Sequence, residues 1–140
     1  MSGIEQEVFK RAEKYFEQGY NCAQAVALSN IERLGRSTEN IIPLAAGLGH
    51  GLSAGCTCGA LSGGVLAIGL ILSKPETKGF DKVVAGAAAE LHQRFVKEFE
   101  VTCCRSLRKK LSPFKNARCK NITAVTAAIT WEVLAARIKD

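Results

Sequence analysis

Long apolar runs are missing from this sequence of 140 residues. The longest, Val65 to Leu72, falls far short of the roughly 20 residues a membrane-spanning helix needs and reads as a buried core helix. The opening residues, Met-Ser-Gly-Ile-Glu-Gln-Glu-Val-Phe-Lys, mix acids with a base and hold no apolar segment, so they do not resemble a secretory signal and a cytoplasmic protein with no membrane partner is expected. Aromatic residues make up only 6 %, and Phe114 alone interleaves the basic stretch near the C-terminus, which leaves little for base stacking and makes nucleic acid an unfavoured partner. No Cys-x-x-Cys occurs, so neither a thioredoxin-like centre nor a zinc site with paired ligands finds support. The run Gly47-Leu-Gly-His-Gly is followed by no Gly-Lys-Ser/Thr and preceded by no strand, which argues against a nucleotide loop. No two carboxylates share a helix face near the cysteines, so hydrolytic acid–base catalysis has no obvious players. Sustained alternation of polar and apolar residues is absent too, and the fold class expected is all-α.

What is there reads as one domain, residues 1–140, built as a single compact bundle of about five helices with a glycine-rich central helix. Ile4, Val8, Ala12, Tyr15 and Phe16 recur at helical spacing and Gly19 ends that first helix. Asn21 is placed to cap a second, running from Cys22 to about Leu34 with Gly35 as its stop. A short piece spans Glu39 to Ala46. Phe80 to Glu100 is the longest clear helix, with Val84, Ala88, Leu91, Phe95 and Phe99 inward. After Cys103 and Cys104 a basic helical turn ends at Ser112-Pro113, and a last helix covers about Ala117 to Ile138 with Ile122, Val125, Ile129 and Val133 inward.

Gly47 to Ser73 holds eight of the 13 glycines. Gly55, Gly59 and Gly63 fall four apart and would form one smooth stripe on a helix, along which another backbone can approach. Each interior glycine costs a helix about 1 kcal/mol relative to alanine, so close approach must return something.

A chain of this length buries a core without covalent staples, so its six cysteines are not needed to hold it together. Where thiols are kept reduced, such a number points to metal binding or redox chemistry. Cys22, Cys56 and Cys58, Cys103 and Cys104, and Cys119 each sit at or near a helix start or a bend, where side chains can converge. Residues two apart on a helix diverge by about 200°, so Cys56 and Cys58 cannot both face one site unless the loop is irregular. The adjacent Cys103 and Cys104 pose the same problem. Cys22, in a first helical turn, is placed to have its pKa lowered by backbone N–H groups.

The segments Asn21-Cys22-Ala23-Gln24, Cys58-Gly59-Ala60-Leu61-Ser62-Gly63-Gly64, Cys104-Arg105 and Arg118-Cys119 together resemble the redox-active family named for its pattern C…GCAxxG…C…C. Related segments occur in split-Soret-type cytochromes as an iron–sulfur domain. The likeness spans nearly the whole chain, with one departure: the family label writes Gly before Cys, whereas here the order is Cys58-Gly59-Ala60. It implies that the four family cysteines are Cys22, Cys58, Cys104 and Cys119, as ligands of a [2Fe-2S] cluster or as redox-active thiols. Cys56 and Cys103 fall outside the pattern and stay as secondary candidates, since the choice within each pair is open.

A cluster held by four thiolates is negative and needs positive charge nearby. From Arg105 to Lys120 there are seven basic residues and no acidic one, which outweighs the whole net charge of +6. Positive charge so placed is expected to lower thiol pKa values, favouring ligation or attack on a disulfide. Arg105 flanks the presumed ligands, and His50 among the glycines is a secondary candidate as ligand or proton carrier. The leading expectation is electron transfer or redox sensing through an iron–sulfur centre. A metal-free thiol–disulfide switch is the alternative. The basic stretch suits docking of an acidic redox partner protein, and a homodimer is among the arrangements left open.

Overall fold

The computed structural model describes residues 1–109 and 115–138. Its elements are α1 (Gly3–Glu17), α2 (Cys22–Arg33), α3 (Ile41–Ala45), α4 (Gly59–Leu72), α5 (Lys82–Phe99), α6 (Cys104–Lys109) and α7 (Lys115–Ala135). The five long ones make the bundle and the fold is all-α. Among the described residues the one extended pairing is an isolated antiparallel bridge between Thr57 and Cys103. No helix among them is long and apolar enough to cross a membrane.

Local chemistry sets the helix ends. The Ser2 hydroxyl accepts the Glu5 N–H at 3.3 Å to start α1. α2 begins with a capping box: the Asn21 side chain accepts the Gln24 N–H at 2.8 Å while the Gln24 side chain accepts the Asn21 N–H at 3.0 Å. Asp81 accepts from Val83 and Val84, each at 3.0 Å, at the head of α5. Gly19 and Gly35, at φ of +98° and +67°, take the left-handed backbone that closes α1 and α2.

α2, α4 and α7 pack against one another, with α1 laid over α2 and α7, and α5 over α4 and α7. α7 is enclosed on almost every side. Ile122, Ala127, Trp131, Val133 and Leu134 are buried, and so are Thr123, Thr126 and Thr130, of which Thr123 and Thr130 turn their hydroxyls back to the carbonyls of Cys119 and Thr126. Buried Asn30 ties α2 to it by donating to Ala127 O at 3.1 Å. On α5 the inward row is Ala87, Leu91, Phe95 and Phe99; Ala87 replaces the expected Ala88, and Val84 is half-buried on the flank. Fully burying a side chain such as Leu91 or Phe95 contributes about 1.5–3 kcal/mol.

The glycine stripe needs correction. α4 starts only at Gly59, while Gly55 lies in the preceding loop at φ +70°. Within α4 the contacts that depend on missing side chains are made by Gly59, Gly63 and Gly64. A Cβ on Gly63 would strike the backbone carbonyl of Ala23, so its absence lets α4 cross α2 backbone to backbone. The expected stop at Ser112-Pro113 lies outside the described residues.

Candidate functional site

Four elements end around one cavity of about 280 Å³, and four sulfurs line it: Cys22, Cys58, Cys104 and Cys119. Cys22 is the first residue of α2, Cys58 the N-cap of α4, Cys104 the first residue of α6, and Cys119 lies in the first turns of α7. Helix starts supply unpaired backbone N–H groups, and here those of α2 act on Cys22 and those of α4 on Cys58.

The loop between α3 and α4 brings them together. His50, Gly51, Leu52 and Ser53 have φ of +54°, +62°, +62° and +57°, a turn of left-handed backbone that costs each non-glycine residue about 1–2 kcal/mol. Gly51 is required in this turn by space as well, since a Cβ there would fall 2.5 Å from Cys56 N and 2.7 Å from Cys104 Cβ. Beyond it the chain pairs with the residues ahead of α6. The Cys58 N–H donates to Thr102 O at 2.7 Å and the Cys104 N–H to Cys56 O at 2.5 Å, flanking the Thr57–Cys103 bridge. These bonds hold the starts of α4 and α6 side by side.

Gly59 explains why two sulfurs meet. A Cβ at that position would lie 2.6 Å from Cys22 Sγ, so only glycine leaves room for the thiol against the first turn of α4. There Cys22 is hydrogen-bonded to the Cys58 thiol. That bond, with the N–H groups of His50, Cys22 and Ala23, outweighs burial and lowers the Cys22 pKa to about 7. Cys58 is the partner that keeps its proton. The bond to Cys22, burial and the Cys22 charge raise its pKa, against the pull of the Ala60 and Leu61 N–H groups.

Burial pushes the Cys104 and Cys119 thiols up, and the Cys22 charge adds to it, while Arg108 pulls both down. The expectation that basic neighbours lower these pKa values is therefore corrected, because desolvation disfavours a thiolate more than Arg108, joined at Cys119 by Arg118, favours it. Outside the cavity, Cys103 is lowered, first by the N–H and hydroxyl of Ser106.

Within each cysteine pair the structure separates the members. Cys58 and Cys104 are buried on the cavity wall; Cys56 is exposed, and Cys103 is half-buried and donates to Gly55 O at 3.3 Å. All six are free thiols. His50 is exposed at the rim and touches Cys22 through its backbone N–H. Arg105 turns away, donating to Ala54 O at 3.2 Å. Arg108 lines the cavity in its place. Sequence reasoning missed it, although its position four residues after Cys104 puts both on one face of α6. The side chains of Lys109, Lys110 and Lys115 lie outside the described residues.

Among the described residues no three His, Cys, Asp or Glu side chains stand close enough to hold a single metal ion. The donor set itself, four thiols around a cavity with one guanidinium, fits iron–sulfur chemistry better than a hard cation.

Residues 20–133 match the family described as "Putative redox-active protein (C_GCAxxG_C_C)". No curated protein and no solved structure matches the chain.

Proposed function

We propose, from the premise that the chain belongs to this redox-active family, that it carries electrons or senses redox state through an iron–sulfur cluster of the two-iron type held by Cys22, Cys58, Cys104 and Cys119. The observation that carries the proposal is the convergence of sulfurs from four elements on one cavity of about 280 Å³. A disulfide needs two sulfurs and no space between them; four sulfurs around a void suit a thiolate-bound cluster. When bound, such a cluster supplies one-electron transfer. The chain supplies ligands at three helix starts and the Arg108 guanidinium to offset negative charge. Its basic segment fits an acidic redox partner.

The test is anaerobic purification and reconstitution with iron and sulfide, followed by visible absorption and Mössbauer spectroscopy. Brown protein holding two irons per chain is expected, with colour lost in Cys58→Ser and kept in Cys56→Ser. Colourless protein with all four cavity thiols open to alkylation ends the proposal.

One observation favours a second reading. Cys22 and Cys58 form a hydrogen-bonded pair in which one sulfur ionises near neutral pH. Such a pair suits thiol–disulfide exchange. The Cys22 thiolate attacks one sulfur of a partner's disulfide and expels the other as a thiolate. Cys58 then displaces the remaining sulfur, leaving this chain oxidised and the partner a dithiol. A Cys22–Cys58 disulfide in colourless, air-exposed protein would select this reading.

A further inference from the structure

Two cysteines take no part in the cavity, yet the backbone places them together. The bonds from Cys58 N to Thr102 O and from Cys104 N to Cys56 O flank the Thr57–Cys103 bridge, which makes Thr57 and Cys103 a non-hydrogen-bonded antiparallel pair. Opposed Cα atoms in such a pair stand about 4.5 Å apart, which puts Cys56, one residue along, about 6 Å from Cys103 and inside the roughly 4.4–6.8 Å span of disulfides. Cys103 Sγ already points across the gap, donating to the carbonyl of Gly55 at 3.3 Å, which is bonded to the nitrogen of Cys56. Cys56 has φ −93° and ψ −129°, outside the extended region, so the alternation of a regular strand does not fix the face its side chain takes. It is exposed. The Arg105 guanidinium, held on Ala54 O, adds positive charge to the same edge.

We propose that Cys56 and Cys103 form an outer dithiol that exchanges with disulfides bearing carboxylates, with glutathione disulfide as the probe. The Cys103 thiolate attacks one sulfur of glutathione disulfide and releases one glutathione. Cys56 then attacks the mixed disulfide and releases the second. The chain gives up two electrons and two protons and becomes an intramolecular disulfide; glutathione disulfide takes up both and becomes two glutathione molecules. This pair is independent of the cavity sulfurs and does not rest on the function proposed for them.

The experiment treats the full-length protein with glutathione disulfide, quenches by alkylation and maps the cysteines by peptide mass spectrometry. A Cys56–Cys103 disulfide is expected in the wild type and equally in Cys58→Ser, which lacks the inner pair. Cys56→Ser should stop with one glutathione on Cys103, and Cys103→Ser should form no such disulfide. Oxidation that joins Cys22 to Cys58 and leaves Cys56 and Cys103 alkylated overturns the proposal, as does a Cys56–Cys58 disulfide. Because Cys58→Ser has neither cavity colour nor an inner disulfide, loss of the inner function and loss of the outer dithiol are read separately.

Discussion

The Cys58 thiol is hydrogen-bonded to Cys22 across the starts of α2 and α4, so that Cys22 is the first of the pair to become charged and Cys58 the one whose pKa rises. The charged member has its pKa lowered to about 7, which means its thiolate appears as the pH rises through neutrality, where an unperturbed thiol is still protonated. Replacing Cys58 by Ala removes the largest cause of the lowering. The Cys22 midpoint should then move upward, as followed by ultraviolet thiolate absorbance in reduced protein. An unchanged midpoint would show that backbone N–H groups alone set it.

Gly59→Ala places a methyl group 2.6 Å from Cys22 Sγ, as well as 2.9 Å from Leu48 O. The sulfur must leave its place beside Cys58, and overpacking of this kind costs about 1–3 kcal/mol. A lower unfolding temperature is expected, together with loss of iron uptake in reconstitution. Normal uptake with normal stability would show that the first turn of α4 gives way more easily than its contacts suggest.

Arg108 is the guanidinium that draws down the buried Cys104 and Cys119 thiols. Arg108→Ala should raise both ionisation midpoints further, measured by carbon NMR of labelled cysteine. In cluster-loaded protein the reduction potential should fall, because a more negative centre loses its positive neighbour.

Two glycines of α4 should respond with opposite signs. Gly63→Ala drives a Cβ into the Ala23 carbonyl and should lower stability by about 1–3 kcal/mol. Gly69 meets nothing within 4 Å, so Gly69→Ala should raise it by about 0.5–1 kcal/mol. Chemical denaturation of both variants measures the contrast.

The parts of this architecture that depend on near neighbours could be read from the sequence. Asn21 and Gln24 announce a capping box by their spacing, and Gly19 and Gly35 mark helix ends, because each acts within a turn of itself. Gly55 was misread for the opposite reason. Its spacing from Gly59 suits a helix, but the left-handed turn over His50–Ser53 is fixed by contacts with α2 and α6, which spacing does not reveal. Arg105 and Arg108 differ in the same way: both flank Cys104 in sequence, and only the orientation of α6 decides which guanidinium meets the cavity. Charge is countable in a sequence, whereas desolvation is not, and so the rise at Cys104 and Cys119 emerged only from their burial.

The cavity closes with α7, which carries Cys119 and packs on α1, α2, α4 and α5. During synthesis Cys22 is made 97 residues before Cys119, and its sulfur waits through that interval before its final neighbour is made. A nascent chain exposed to oxidant in that interval would cross-link whichever thiols met first, so the quality of this protein should depend on reducing conditions during its manufacture.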